Sequence, residues 1–251
     1  MTLLETVLPP DMDLWVGVAL MGVSFLGSFI TAAFGIGGGV IVLAVLASLL
    51  PPAALIPVHG VVQVGSNAGR TLIMRDHIDR ATLGVFVIGT TGGVVLGGLV
   101  AVELPPAIVQ IAVGAFILWT IFFKPPGFLR RSAWLAGGFS SFLTMFFGAT
   151  GPFVAAYIRT LGFDRMRHTA THAACMTVQH GLKIVAFGLL GFAFGPYVVL
   201  IAGMIAFGFV GTIVGRQVLA KINERIFKTA LQTILVVLAL RLIWAGATTF
   251  L

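Results

Sequence analysis

The chain of 251 residues has one cysteine, two tyrosines and eight acidic residues, and only 9% of it is charged. The lone Cys175 excludes an intramolecular disulfide. Charge this sparse, against roughly 25% in soluble domains, excludes an ordinary soluble globule. All eight acids, Glu5, Asp11, Asp13, Asp76, Asp79, Glu103, Asp164 and Glu224, fall in predicted loops or tails. An apolar interior without carboxylates is a poor home for a bare metal cation. It also lacks the Asp or Glu relay common in proton-driven pumps, leaving histidine as the titratable carrier near neutral pH. There is no Gly-x-Ser-x-Gly elbow and no His-Glu-x-x-His. His168 and His172, although spaced i, i+4, have only the loop residue Asp164 nearby as an acidic ligand, so neither serine nor metal hydrolysis is supported. No metal and no cofactor is expected. A basic stretch ahead of the first apolar segment is missing too, because Glu5, Asp11 and Asp13 occupy that region, so no cleavable leader is expected.

What is present is oil and glycine. Hydrophobic residues make up 59% of the chain, with 32 glycines and a mean hydropathy of +1.09. This predicts an all-α polytopic membrane protein. Apolar segments of membrane length fall at about 12–34, 54–74, 81–102, 106–123, 132–148, 168–190, 195–219 and 228–249. Two shorter ones, 38–50 and 151–162, follow the breaks Phe34-Gly35-Ile36-Gly37-Gly38-Gly39 and Phe147-Gly148-Ala149-Thr150-Gly151-Pro152. Each reads as a short or half-spanning helix reached through a turn, giving about ten helical segments, eight long and two short. Gly93-x-x-x-Gly97 and Gly211-x-x-x-Gly215 would let helix backbones approach closely in lipid.

With ten crossings and the acidic N-terminus outside, the loops at 75–80, 124–131, 159–167 and 220–228 share the inner face. They hold 11 of the 15 basic residues, while the opposite loops hold none. Positive residues mark the cytoplasmic side. The net charge of +7 therefore reflects topology and anionic lipid rather than nucleic acid. Eight crossings with two re-entrant segments remain an alternative.

Two polar stripes stand inside this oil. His59, Gln63, Ser66, Asn67 and Arg70 follow the spacing i, i+4, i+7, i+8, i+11, and His172, Met176, Gln179, His180 and Lys183 repeat it at an offset of 113. Each set lies on one helix face. Polar and cationic residues within a membrane mark a binding site or pathway by default. At the same offset Ser28, Phe29, Thr31, Phe34, Gly35 and Gly38 meet Ser141, Phe142, Thr144, Phe147, Gly148 and Gly151. The chain thus reads as two repeats, 12–124 and 132–249, forming one membrane domain. Five helices per half require the halves to be inverted, and the loops agree. The uncharged 51–53 corresponds to the basic 163–167, and the acidic Glu103 to the basic Lys221.

Inverted repeats with glycine-broken helices are an architecture of secondary transporters. Amide donors and the positive dipole end at the start of each short helix favour an oxyanion, which points to Gly37, Gly38 and Gly39 and to Thr150 and Gly151. His59, Gln63, Asn67, Arg70, His172, Gln179, His180 and Lys183 complete the expected substrate site. Every member has a plainer alternative. Arg70 is equally placed to snorkel to the interface. Lys183 is too deep for that from the cytoplasmic side, though the outer surface is within its reach. The histidines and amides would also serve as bonds between helices. Ser28, Thr31, Ser141 and Thr144 would cap the breaks or offer hydroxyls to the anion, and Arg241 would serve packing, lipid or subunit contacts.

The paired glycine motifs, the polar helices that follow them, and Gly211-Thr212-Ile213-Val214-Gly215-Arg216 through Lys221-Ile222-Asn223 resemble the sulfite exporter TauE/SafE family of membrane permeases. The resemblance runs from about residue 14 to 247. It implies transport of a small sulfur oxyanion, sulfonate or related organic acid across the bacterial inner membrane, with protons as a candidate coupling ion. His59 and His172 depart from the family pattern, which leaves the substrate open beyond sulfite. A passive anion channel and an intramembrane hydrolase are the rival readings; oligomeric state and direction of transport are not encoded in any motif.

Overall fold

The computed structural model describes residues 8–9, 12–34, 37–101, 105–218 and 224–250. Among them are ten α-helices and no strand: α1 Leu14–Phe34, α2 Gly38–Leu49, α3 Pro52–Ile73, α4 Arg80–Ala101, α5 Pro106–Phe122, α6 Ala133–Phe147, α7 Gly151–Ile158, α8 Arg165–Leu189, α9 Val198–Val218 and α10 Glu224–Ala247. Glu5, Asp11, Gly35, Ile36, Glu103 and Lys221 to Asn223, named above, lie outside the described set.

Local chemistry explains most of the helix starts. Proline's fixed φ and missing N–H suit a first turn, and α3, α5 and α7 each carry one there. Asp164 accepts from the Met166 and Arg167 amides at 2.8 and 2.9 Å, so α8 begins at Arg165, three residues before its expected start. Asp79 caps α4 by accepting from the Thr82 amide at 2.9 Å. At the second break Gly148 takes φ 79°, a left-handed value that favours glycine. The Thr144 hydroxyl then donates 2.7 Å to the Gly148 carbonyl, which the interrupted helix leaves without its usual partner. Gly37, at φ 107°, directly precedes α2, at the position that Thr150 holds before α7.

Four stretches are individually long and apolar enough to cross a membrane: Leu14–Ala32, Arg80–Val100, Gly195–Gly215 and Leu231–Phe250. The other long helices fall short of that criterion for physical reasons. At 17 and 15 residues, α5 and α6 are short, while α3 and α8 are interrupted by their polar faces. All four apolar helices carry large exposed side chains, among them Trp15, Ile88, Leu99, Phe209 and Trp244, with Leu99 77% exposed. A contiguous apolar exterior of this kind is the surface a lipid environment solvates.

Glycine seams join helices from opposite halves of the sequence. A Cβ at Gly89 or Gly93 of α4 would run into the backbone of Trp134 or Gly138 on α6, and one at Gly97 would lie 2.7 Å from the Met145 side chain. In α9, Gly211 abuts the Phe25 carbonyl of α1, and a Cβ at Gly215 would lie 2.5 Å from the Phe29 carbonyl. In both seams residue number rises together along the two helices, so each pair is parallel. Two other pairs run antiparallel. Gly114 of α5 meets the Ala239 carbonyl of α10 while Gly246 of α10 meets the Ala107 carbonyl of α5, each at 2.7 Å from the added Cβ. On α3 and α8, Gly60 lies against Lys183 and Thr71 against Thr177. Exchanging the halves converts α1 with α9 into α6 with α4, and returns α3 with α8 and α5 with α10 to themselves. The short helices α2 and α7 and the polar faces of α3 and α8 lie within this frame. Leu43, Leu46, Leu55, Leu200 and Met204 form part of one buried core; Phe116, Phe139, Phe147 and Phe153 pack together beneath α7.

Candidate functional site

The starts of both short helices meet α3 and α8 at one small cavity. Its volume is about 50 Å³, against the roughly 10–15 Å³ required per water, so it accommodates a few waters or one compact ion. Nine of the thirteen residues expected from sequence line it: Gly37, Gly39, His59, Gln63, Asn67, Arg70, Gly151, His172 and His180. The other four, Gly38, Thr150, Gln179 and Lys183, do not. Thr31, Val40, Ala149, Pro152 and Met176 complete the lining, and none of the lining residues is acidic.

The two histidines at equivalent positions hold equivalent places. His59 Nε2 donates to the Gly39 carbonyl at 3.0 Å and His172 Nε2 to the Gly151 carbonyl at 3.2 Å. Each ring therefore ties a long polar helix to the first turn of a short one. His59 Nε2 also lies 3.2 Å from the Gln63 side-chain amide, and its ring meets that of His180 edge on, with centroids 5.8 Å apart. Gly148 is part of the same packing, since a Cβ there would lie 3.2 Å from His59 Nδ1.

Arg70 is fixed by its own helix. Its Nε donates to the Ser66 carbonyl at 3.2 Å and its Nη2 to Asn67 Oδ1 at 2.9 Å, while Asn67 Nδ2 donates to the Gln63 carbonyl at 2.8 Å. Two of the five guanidinium N–H groups are thereby used and three remain. No carboxylate pairs with Arg70 among the described residues. A preoriented cationic fork beside a cavity without acids has the chemistry to bind an oxyanion with two parallel hydrogen bonds.

Lys183 occupies a different environment. Its side chain is wholly buried and Nζ has no hydrogen-bond partner among the described residues. The space for it is made by Gly60, where a Cβ would lie 2.8 Å from Lys183 Cε. Its depth within α8 was legible in the sequence; Gly60 was not, because its role depends on which residue of another helix lies opposite. Gln179 is likewise turned from the cavity, donating to the Thr150 hydroxyl at 2.6 Å and the Ser140 carbonyl at 3.2 Å. These bonds give Gln179 and Thr150 a common job, tying α8 and α6 to the start of α7. Ser28 and Ser66 hydroxyls face each other at 3.4 Å, and Arg241 lies exposed on α10.

On one face of the molecule the halves are also joined outside the spans. Asp79 accepts from Arg167, and its amide donates to the Thr171 hydroxyl at 2.9 Å. Hydrogen bonds from the Thr82 side chain and the Arg167 guanidinium hold the Asp79 carboxyl below its usual range.

A family model for Sulfite exporter TauE/SafE matches residues 20–242. No curated protein and no solved structure matches the chain.

Proposed function

The chain belongs to the sulfite exporter TauE/SafE family of multi-pass membrane transporters, and from that premise we propose that it is a secondary transporter moving a small anion across the bacterial inner membrane by alternating access. The substrate class is a sulfur oxyanion, a sulfonate or a related organic acid. The observation that carries this reading is the unpaired Arg70 guanidinium on a cavity without acids, where the two glycine breaks converge. Gln63, Asn67 and the backbone at Gly37, Gly39 and Gly151 complete an oxygen-binding shell. A cavity of about 50 Å³ suits a compact oxyanion better than a bulky organic body.

Residues 12–124 and 132–249 are proposed as inverted five-helix repeats of one domain. The antiparallel packing of α3 on α8 and of α5 on α10 supports this reading, because inversion requires equivalent helices to run in opposite directions. Exchange of the two arrangements would expose the shared cavity to each side in turn. His59, His172 and His180 are the titratable groups at the cavity, which makes protons the proposed coupling ion.

Saturable sulfite flux into proteoliposomes tests the charge assignment. Arg70→Ala, which lines the cavity, is expected to lower the initial rate by at least about ten-fold, the scale of a lost charge-assisted hydrogen bond, whereas Lys183→Ala, which lies off the cavity lining, is expected to lower it less; undiminished flux in Arg70→Ala discards the assignment. Acceleration by substrate on the far side separates a carrier from a passive anion channel, in which the two sides do not exchange through one site. Hydrolysis has no carboxylate to orient a histidine at the cavity, and the protein is proposed not to be an enzyme.

A further inference from the structure

A second, larger cavity of about 470 Å³ lies beside α7 on the face that carries the basic loops. Three cations converge on it from two segments: Lys124 and Arg130 from the chain between α5 and α6, Arg130 in its turn Gly127–Arg130, and Arg159 from the end of α7. No acidic residue lines it. On the same face Arg75 lies beside Asp76 and Arg167 pairs with Asp79, whereas Lys124, Arg130 and Arg159 have no acidic partner among the described residues. The tendency of basic loops to stay inside explains how many cations this face holds, but not why three unpaired ones surround a concavity. Its position adds the second observation. Pro152, in the first turn of α7, lines this cavity and also the central one that holds Arg70. One residue thus forms a wall common to both.

We infer that the outer cavity is an oxyanion-loading site, in which Arg130, Arg159 and Lys124 collect the anion and deliver it past Pro152 to Arg70. The inference rests on the transport reading above. A concave cluster of one sign of charge concentrates counter-ions and raises the capture rate, and guanidinium groups offer planar forks that match an oxyanion. Ala155 and Ala156 leave the floor small and apolar, so charge rather than shape selects what collects there. A free oxyanion and the phosphate of a lipid headgroup share this chemistry.

Sulfite transport by the full chain, reconstituted with the basic-loop face outward and separately inward, tests the inference. The double variant R130Q/R159Q is compared with the unsubstituted protein at about 10 and about 150 mM ionic strength, between which the screening length falls from roughly 30 to roughly 8 Å. At low salt, KM measured from the basic-loop face is expected to rise about ten-fold, with the maximal rate and the KM from the other face unchanged; the difference should shrink at high salt. A rise in phosphatidylcholine vesicles identifies the free anion as the ligand. A rise that needs phosphatidylglycerol in the vesicle identifies headgroup phosphate. An unchanged KM in both lipids, or an equal rise from both faces, overturns the loading site while leaving the transporter intact. Absence of sulfite flux in the unsubstituted protein overturns the transport reading and the loading site with it. Matching thermal unfolding temperatures for variant and parent exclude a folding defect.

Discussion

The helices α3 and α8 carry the same spacing of polar residues, yet the two basic ends of that pattern occupy opposite environments. Arg70 lines the cavity with three N–H groups to spare, while Lys183 is sealed behind Gly60 with its amine unpartnered. On the Lys183 side the opposing residue supplies the room. Lys183 lies over Gly60, and the position equivalent to Gly60 in the other half is Ala173. An alanine carries at that position the methyl group that Gly60 lacks. Equal spacing along a helix therefore sets which face a residue is on, and the small residues of the opposing helix set whether its charged end is enclosed or left at the cavity.

Filling that hollow is expected to have the largest effect on stability. Gly60→Ala places a Cβ against Lys183 Cε and should destabilise the protein by about 1–3 kcal/mol, the usual cost of overpacking. In a Lys183→Ala background the cost should vanish, and thermal unfolding of the two single variants and the double variant measures this coupling. Additive effects would break the proposed link between the two positions.

A second contrast lies one to two turns away, between Gln63 on the cavity and Gln179 bonded to Thr150. Gln179→Leu leaves the Thr150 hydroxyl and the Ser140 carbonyl without their donor and is expected to lower stability by about 1–2 kcal/mol. Gln63→Leu should instead weaken the thermal shift produced by sulfite. An equal loss of sulfite response in both variants would erase the distinction between a binding amide and a structural one.

The smallest effect concerns the start of α8, which is tied to Asp79 through Thr171 and Arg167, whereas α3 starts on Pro51 and Pro52 without such a tie. Asp79 has a folded-state pKa below its ordinary value of 3.8. Its contribution is therefore complete above that value and is lost as pH falls through the folded one. Asp79→Asn, which keeps a capping oxygen but removes the charge, should cost about 0.5–1 kcal/mol at pH 7, in keeping with a partly exposed ion pair. Unfolding curves at pH 7 and in the acid range measure this; the gap between variant and parent should narrow on acidification.

The helical plan was legible because hydrophobic length and glycine clusters are local signals. Both breaks fall where the sequence places them, with Gly37 and Gly148 supplying the left-handed backbone there. The start of α8 was placed late because Asp164 caps it, and one hydrogen-bonding side chain outweighs the apolar pattern at a helix end. The histidine stripe was legible from its period of one helical turn. What Gln179, Thr150 and Lys183 touch was not, because each depends on the register between helices distant in sequence: Gln179 reaches the Ser140 carbonyl across 39 positions. The cluster of Lys124, Arg130 and Arg159 was visible only as loop charge, since its concavity exists once the chain between α5 and α6 folds against the end of α7.

The glycine seams have a consequence for how the protein is made. A chain emerging from the ribosome inserts α1 long before α9, whose glycines its backbone packs into, and α4 before α6, whose backbone packs into the glycine face of α4. Early in biogenesis the glycine face of α4 meets lipid acyl chains until α6 follows, and α1 waits for α9 until late in synthesis. Neither half is then a self-sufficient building block. The assembled bundle is interlaced, and its final packing is a late event in the bilayer.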